Sequence, residues 1–298
     1  MERMENFFIQ PDSLEEAKEL LGTLPENFTV LAGGTDLLIS VRKKRQEGRG
    51  YFSLWRIPEL RKIEQNGDWI KIGAMVTHTQ ASEDEMIREK FRALGMACSR
   101  VGSCQIRNKG TLGGNIVNGS PAGDILPCIC LFDGELEFLS SRGFRRESVF
   151  DFLKKRKEER VGRQEILSAV YLPLDNTRRW DSCFLKLGER DEVTIAQISL
   201  CARWYWEGEE KKEVEAYMGA VDTKPVPCSC PQLLEGRLVE EDRAEKLAKI
   251  LREQILELKK KRTRQSKLKI TDAEKQYKER AVKGLLYDLI DEMNQRRG

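Results

Sequence analysis

Two glycine-rich turns of matching character, about eighty residues apart, constrain this chain more than any other feature: Leu31-Ala32-Gly33-Gly34-Thr35-Asp36-Leu37-Leu38 and Lys109-Gly110-Thr111-Leu112-Gly113-Gly114-Asn115-Ile116. A paired glycine has no Cβ to keep a ligand or a neighbouring chain away, and it enters positive φ at little cost. Successive N–H groups in such a turn can point inward as an anion-binding nest. One nest suits one phosphate. Two nests brought together suit a pyrophosphate, and so a dinucleotide.

The flanking pattern supports that reading. Residues 28–32 (Phe-Thr-Val-Leu-Ala) form a short buried strand entering the first glycine pair, and Asp36 opens a helix over 37–45. Strand, Gly-Gly, helix start is the order in which helix-terminal N–H groups meet phosphate. Upstream, Ser13 and Glu16 have capping-box spacing for a helix over 12–21. A strand at 51–55 closes a small βαβ unit, and Pro58 marks a boundary. Alternation gives a strand at 69–74, periodicity a helix at 83–94, and further strands fall at 135–139 and 165–172. A third unit starts near 177, with strands at 182–187, 195–206 and 214–220 and helices at 240–260 and 272–294. Between those helices, residues 259–269 carry seven basic side chains and read as an exposed, mobile connection.

Composition excludes several classes. The net charge of +3, from 52 basic and 49 acidic residues, is too balanced for nucleic acid as the main partner. The run Arg42-Lys43-Lys44-Arg45 reads as a solvated face. No apolar stretch approaches the ~20 residues that cross a bilayer, and the N-terminus lacks signal-peptide order, so the expected location is the cytoplasm. The eight cysteines include the pairs Cys128-Ile129-Cys130 and Cys228-Ser229-Cys230 but no C-x-x-C, so neither zinc nor ferredoxin-type spacing occurs. Reduced structural thiols fit best. With His78 as the one histidine, a Ser-His-Asp or Cys-His nucleophile is poorly supported.

Residues 32–37, with Val101-Gly102-Ser103-Cys104-Gln105-Ile106-Arg107-Asn108 leading into the second turn and Ser120-Pro121-Ala122-Gly123-Asp124 after it, resemble the FAD-binding subunit of molybdenum hydroxylases. That family includes the flavin subunits of xanthine, carbon monoxide and nicotinate dehydrogenases. The likeness covers nearly the whole chain in order of elements and rests on both turns together. It implies an α+β fold: a vanillyl-alcohol-oxidase/PCMH-like FAD-binding domain at 1–176, with subdomains about 1–57 and 58–176, then a smaller C-terminal domain at 177–298 with an antiparallel sheet and helices. It also implies FAD contacts from Leu31, Ala32, Gly33, Gly34, Thr35, Asp36, Leu37, Val101, Ile106, Thr111, Gly113, Gly114, Asn115, Asn118, Asp124 and Lys186. In this pattern Asp124 matches an acid that hydrogen-bonds the flavin side of the cofactor, and Lys186 a lysine presented to the isoalloxazine. Val101 stands where some relatives place an aromatic against adenine.

Plainer roles stand beside these. The glycines can be tight turns, Asp36 and Asp124 helix caps, Asn115 a left-handed turn residue, Lys186 a surface lysine, and His78 a structural hydrogen-bonding group. The resemblance implies an oxidoreductase subunit whose chemistry is its flavin's, with no catalytic side chain and no metal of its own. Its implied partners are a molybdopterin-binding catalytic subunit, a [2Fe–2S] subunit, and NAD or another acceptor. A free-standing reductase of the UDP-N-acetylenolpyruvoylglucosamine reductase type is the alternative, and a scaffold that has lost its flavin is a third class.

Overall fold

The computed structural model describes residues 7–24, 28–44, 50–188, 195–265 and 272–296. In chain order they form β1 (Phe8–Ile9), α1 (Leu14–Leu21), β2 (Phe28–Leu31), α2 (Leu37–Lys44), β3 (Gly50–Ser53), β4 (Ile63–Asn66), β5 (Trp69–Gly73), α3 (His78–Glu83), α4 (Glu85–Lys90), α5 (Arg92–Ser99), α6 (Cys104–Arg107), α7 (Leu112–Asn118), α8 (Ile125–Leu131), β6 (Glu135–Ser140), β7 (Gly143–Ser148), α9 (Val149–Lys154), β8 (Glu165–Pro173), β9 (Trp180–Gly188), β10 (Ala196–Glu207), β11 (Glu210–Gly219), β12 (Val226–Pro227), α10 (Glu241–Gln265) and α11 (Asp272–Gln295). The chain divides into two compact units. One gathers Met1–Ala81, Ser103–Gly119 and Asp133–Leu174, the other Ser82–Gly102, Ser120–Phe132 and Asp175–Gly298.

The first unit starts as its capping residues dictate. Ser13 Oγ accepts from the Glu16 N–H at 3.1 Å, and the Glu16 carboxylate accepts from the Asp12 N–H at 2.7 Å. The return arm of the capping box therefore lands one residue early. Ala17 and Leu21 join Phe52, Leu54, Ile57 and Leu60 in an apolar cluster. β2 and β3 pair in parallel, Leu31 opposite Ser53, as the βαβ pattern requires. β1 lies on the other edge of β3. A five-stranded antiparallel sheet in the order β4-β5-β8-β6-β7 completes the unit. Its edge strand β7 carries no apolar alternation to announce it; Arg145 ties it to β8 through Glu165 at 2.7 Å and pairs with Glu147 on its own strand at 2.9 Å.

The second unit is built on a four-stranded antiparallel sheet in the order β12-β11-β10-β9. Ile198, Leu200, Trp204 and Met218 share one buried cluster with Leu247, Leu251, Ile255, Leu286, Leu289 and Met293 of α10 and α11. The single helix expected at 83–94 is two helices. Phe91 leaves helical geometry (φ −130°, ψ 45°) and turns edge-on to Phe132, with ring centroids 5.0 Å apart. α5 then packs on β9, where the Ala93 N–H donates to Ser182 Oγ at 3.0 Å.

One expectation is corrected outright. The basic stretch after residue 259 is helical through Gln265, and Lys259 is buried, so this part is no loose connection. Residues 266–271, like Arg45 of the earlier basic run, lie outside the described residues. No described helix is long and apolar enough to cross a membrane.

Candidate FAD-binding site

The two glycine turns meet in the first unit. A Cβ on Gly33 would fall 1.9 Å from the Lys109 carbonyl oxygen, and one on Gly114 would lie 3.8 Å from Ala32 Cβ. Gly33 is glycine because main chain crosses main chain at that point. Gly34 is glycine because its φ is +75°. Gly113 has a packing reason as well, since its Cβ would sit 2.8 Å from the Ala74 carbonyl oxygen.

The two turns differ in how their amides are used. Among the described residues, the N–H groups of Gly33, Gly34, Thr35 and Asp36 donate to no backbone carbonyl, and α2 begins with the Leu38 N–H on Gly34 O at 3.0 Å. In the second turn the Leu112 N–H goes to Val76 O, Gly113 to Ala74 O and Asn115 to Thr111 O. The Gly114 N–H is capped by Thr111 Oγ1 at 3.1 Å. The first turn thus leaves its amides without backbone partners among the described residues, and the second does not. What the second turn has to offer is side chains: the Thr111 hydroxyl hydrogen and the Asn115 carboxamide.

His78 stands behind this turn. Its backbone N–H donates to Gly110 O at 3.1 Å, and the residue is 2% exposed. Burial, with Arg107 nearby, pushes its pKa down to about 4. Neutral at pH 7 and a very weak base, it is ill suited to general-base work. Its Nδ1 has no partner among the described residues.

In the second unit, Asp124 and Lys186 come together across sixty-two residues of sequence. Lys186 Nζ donates to Asp124 Oδ2 at 2.6 Å and to the Arg100 carbonyl at 2.9 Å. Both side chains are only 6% exposed, so Lys186 is no surface lysine. Asp124 precedes α8 without capping it. Burial pushes its carboxyl up; the Lys186 ammonium and Arg100 pull the other way and lose. Oδ1 is buried with no partner among the described residues, an acceptor held ready for a donor.

The remaining candidates are scattered. Leu31, Leu37, Val101 and Ile106 are half-buried, while Asp36 and Asn118 are exposed. Asn115 lies inside α7; the left-handed position after that helix belongs to Gly119, φ +52°. Sequence reasoning passed over Ala74 and Arg100, whose backbone carbonyls accept from Gly113 and Lys186 as any residue type's would, although the Arg100 charge also acts on Asp124. Six cysteines of the second unit (Cys98, Cys128, Cys130, Cys183, Cys201 and Cys228) are buried and form no disulfide. Among the described residues no group of three or more His, Cys, Asp or Glu side chains could hold a metal ion.

The donor set fits a bound dinucleotide. Four consecutive unspent amides before α2 suit a phosphate group, and the Thr111 hydroxyl and Asn115 add neutral donors. Residues 2–175 match the family model described as the FAD binding domain in molybdopterin dehydrogenase, and the chain belongs to that family. It is 34% identical over 195 residues to the nicotinate dehydrogenase FAD-subunit of Eubacterium barkeri, covering 64% of this chain and 66% of that one. It is 30% identical over 217 residues to the xanthine dehydrogenase FAD-binding subunit of Escherichia coli O157:H7, covering 72% and 74%. Among solved structures, a chain of reconstituted CO dehydrogenase from Oligotropha carboxidovorans superposes with a TM-score of 0.81 at 20% identity, over 100% of both chains. A chain of quinoline 2-oxidoreductase from Pseudomonas putida 86 gives 0.81 at 21%, over 99% of both. These two share the fold. The protein is accordingly an FAD-binding oxidoreductase subunit of the molybdenum hydroxylase family.

Proposed function

We propose that this chain is the electron-transfer flavoprotein of a multi-subunit molybdenum hydroxylase, working in the cytoplasm. It takes electrons from the [2Fe–2S] clusters of a partner subunit and delivers them to NAD or another acceptor, while a molybdopterin-binding subunit acts on the substrate. The domain scheme behind this reading has the FAD-binding domain at 1–176 and the C-terminal domain at 177–298, and the family match over residues 2–175 supports it. Bound FAD supplies the redox chemistry. The chain's own residues bind, orient and tune. Gly33, Gly34, Thr35 and Asp36 offer main-chain donors; Thr111 and Asn115 offer side-chain donors; Leu31, Ala32, Leu37, Gly113 and Gly114 shape the crossing. Val101, Ile106, Asn118, Asp124 and Lys186 are further proposed cofactor contacts.

The observation that carries this reading is the crossing of Gly33 over the Lys109 carbonyl, which brings the two turns together. Its test is the colour of the chain purified alone. Bound flavin absorbance, with at most weak diaphorase activity, is expected. Gly33→Ala forces the crossing apart, at a cost of about 1–3 kcal/mol, and abolishes the absorbance. A colourless wild-type chain after FAD is added sinks the reading. Co-purification from the native source with molybdenum- and iron-bearing chains tests the partner assignment.

A further inference from the structure

Arg160 is a cation with no counter-charge among the described residues. It lies in the first unit, 5% exposed, and its Nε is buried with no hydrogen-bond partner among the described residues. No described carboxylate pairs with it; Glu158 acts on it only at a distance. Its guanidinium faces the Phe152 ring, 5.3 Å from the centroid. It reaches the end of α7, where a Cβ on Gly119 would meet NH1 at 2.7 Å. The missing Cβ of Gly119, a left-handed residue, is what leaves room for the guanidinium there. The carbonyl end of a helix offsets at most about half a positive charge, and here no hydrogen bond accompanies it. Burying a charge without a partner is costly. A planar guanidinium fork matches an oxyanion better than any other ligand.

We propose that Arg160 is an anion hook at the C-terminal end of α7 that holds a phosphate-class oxyanion. Two sources share that chemistry: free phosphate, or the diphosphate of FAD. Across α7, Thr111 and Gly119 are eight residue steps apart, about 12 Å at 1.5 Å per residue. A diphosphate seated where the two glycine turns meet, at the Thr111 end of α7, would therefore be distant from Arg160, which favours a separate anion. The inference does not depend on the proposed redox role.

The test uses the full chain in chloride buffer, with and without FAD, titrated with inorganic phosphate at constant ionic strength. The wild-type melting temperature should rise saturably, by about 5 °C at a hundredfold excess over Kd. Arg160→Gln should abolish that rise without lowering the midpoint in chloride, because no described carboxylate loses a partner and the buried, unpaired Nε is removed. Gly119→Ala, which pushes the guanidinium aside, should weaken the response. If FAD is the source, Arg160→Gln weakens FAD binding at least tenfold, leaves riboflavin binding unchanged, and phosphate competes with FAD. If free phosphate is the source, FAD affinity is unchanged and the phosphate response is lost. The proposal is overturned if wild type shows no saturable response and Arg160→Gln binds FAD normally, or if Arg160→Gln keeps the full response. A chain that binds no FAD defeats the redox reading alone, since the phosphate titration still reads Arg160.

Discussion

Gly33 and His78 both lie against the Lys109-Gly110 backbone, Gly33 for want of a Cβ and His78 through its backbone N–H and its buried ring. His78 makes this corner pH-sensitive. Its folded pKa, about 4, is below the ordinary value of 6.5, so the neutral ring favours the folded state. That contribution is complete above pH 6.5 and is lost as pH falls toward 4. A difference of roughly two and a half units is worth on the order of 3 kcal/mol. Unfolding free energy measured by urea melts should therefore drop by about that amount between pH 7 and pH 4. In His78→Gln this part of the dependence should be missing; an identical pH profile in the variant would refute the assignment. The residue types here were legible in the sequence, but their uses were only partly so. Gly33 and Gly113 are glycines for main-chain and packing contacts with Lys109 and Ala74, partners that no local pattern identifies.

At the scale of elements, the capping atom of α7 is also a proposed binding group. Thr111 Oγ1 accepts from the Gly114 N–H and keeps its own hydrogen to donate. Thr111→Val should cost about 1 kcal/mol through the lost cap and also weaken FAD binding, whereas Thr111→Ser should keep both. A valine variant that melts like wild type would show that the cap contributes nothing. Most elements were readable beforehand, because periodicity and capping act within a few residues. The exceptions have identifiable causes. Phe91 breaks an amphipathic pattern to reach Phe132, and β7 is a charged edge strand whose pairing with β6 comes from the sheet rather than from its own composition.

For the whole molecule, the chain is interleaved: 82–102 and 120–132 group with everything after Asp175. Within that unit, Ala93, Leu94, Ala97 and Cys98 of α5 and Ile125, Leu126 and Ile129 of α8 are buried, and the two helices pack on strands β9, β10 and β11. A fragment ending at residue 175 would keep the helices and lose the sheet. It should aggregate, or bind a hydrophobic dye strongly, and fail to retain flavin; a soluble, dye-silent, yellow fragment would show that the interleaving has no energetic weight.

What the sequence determined by itself is most of the longer elements, the two glycine turns and, through them, the family, since helix caps, strand alternation and positive-φ glycines are local constraints. Tertiary structure alone decided which amides stay unspent, that Asp124 meets Lys186, and that Arg160 is left with no described counter-charge. The physical reason is that hydrogen bonds and charge pairs are settled between segments far apart in the chain, and a side chain carries no mark of the partner that folding will bring to it.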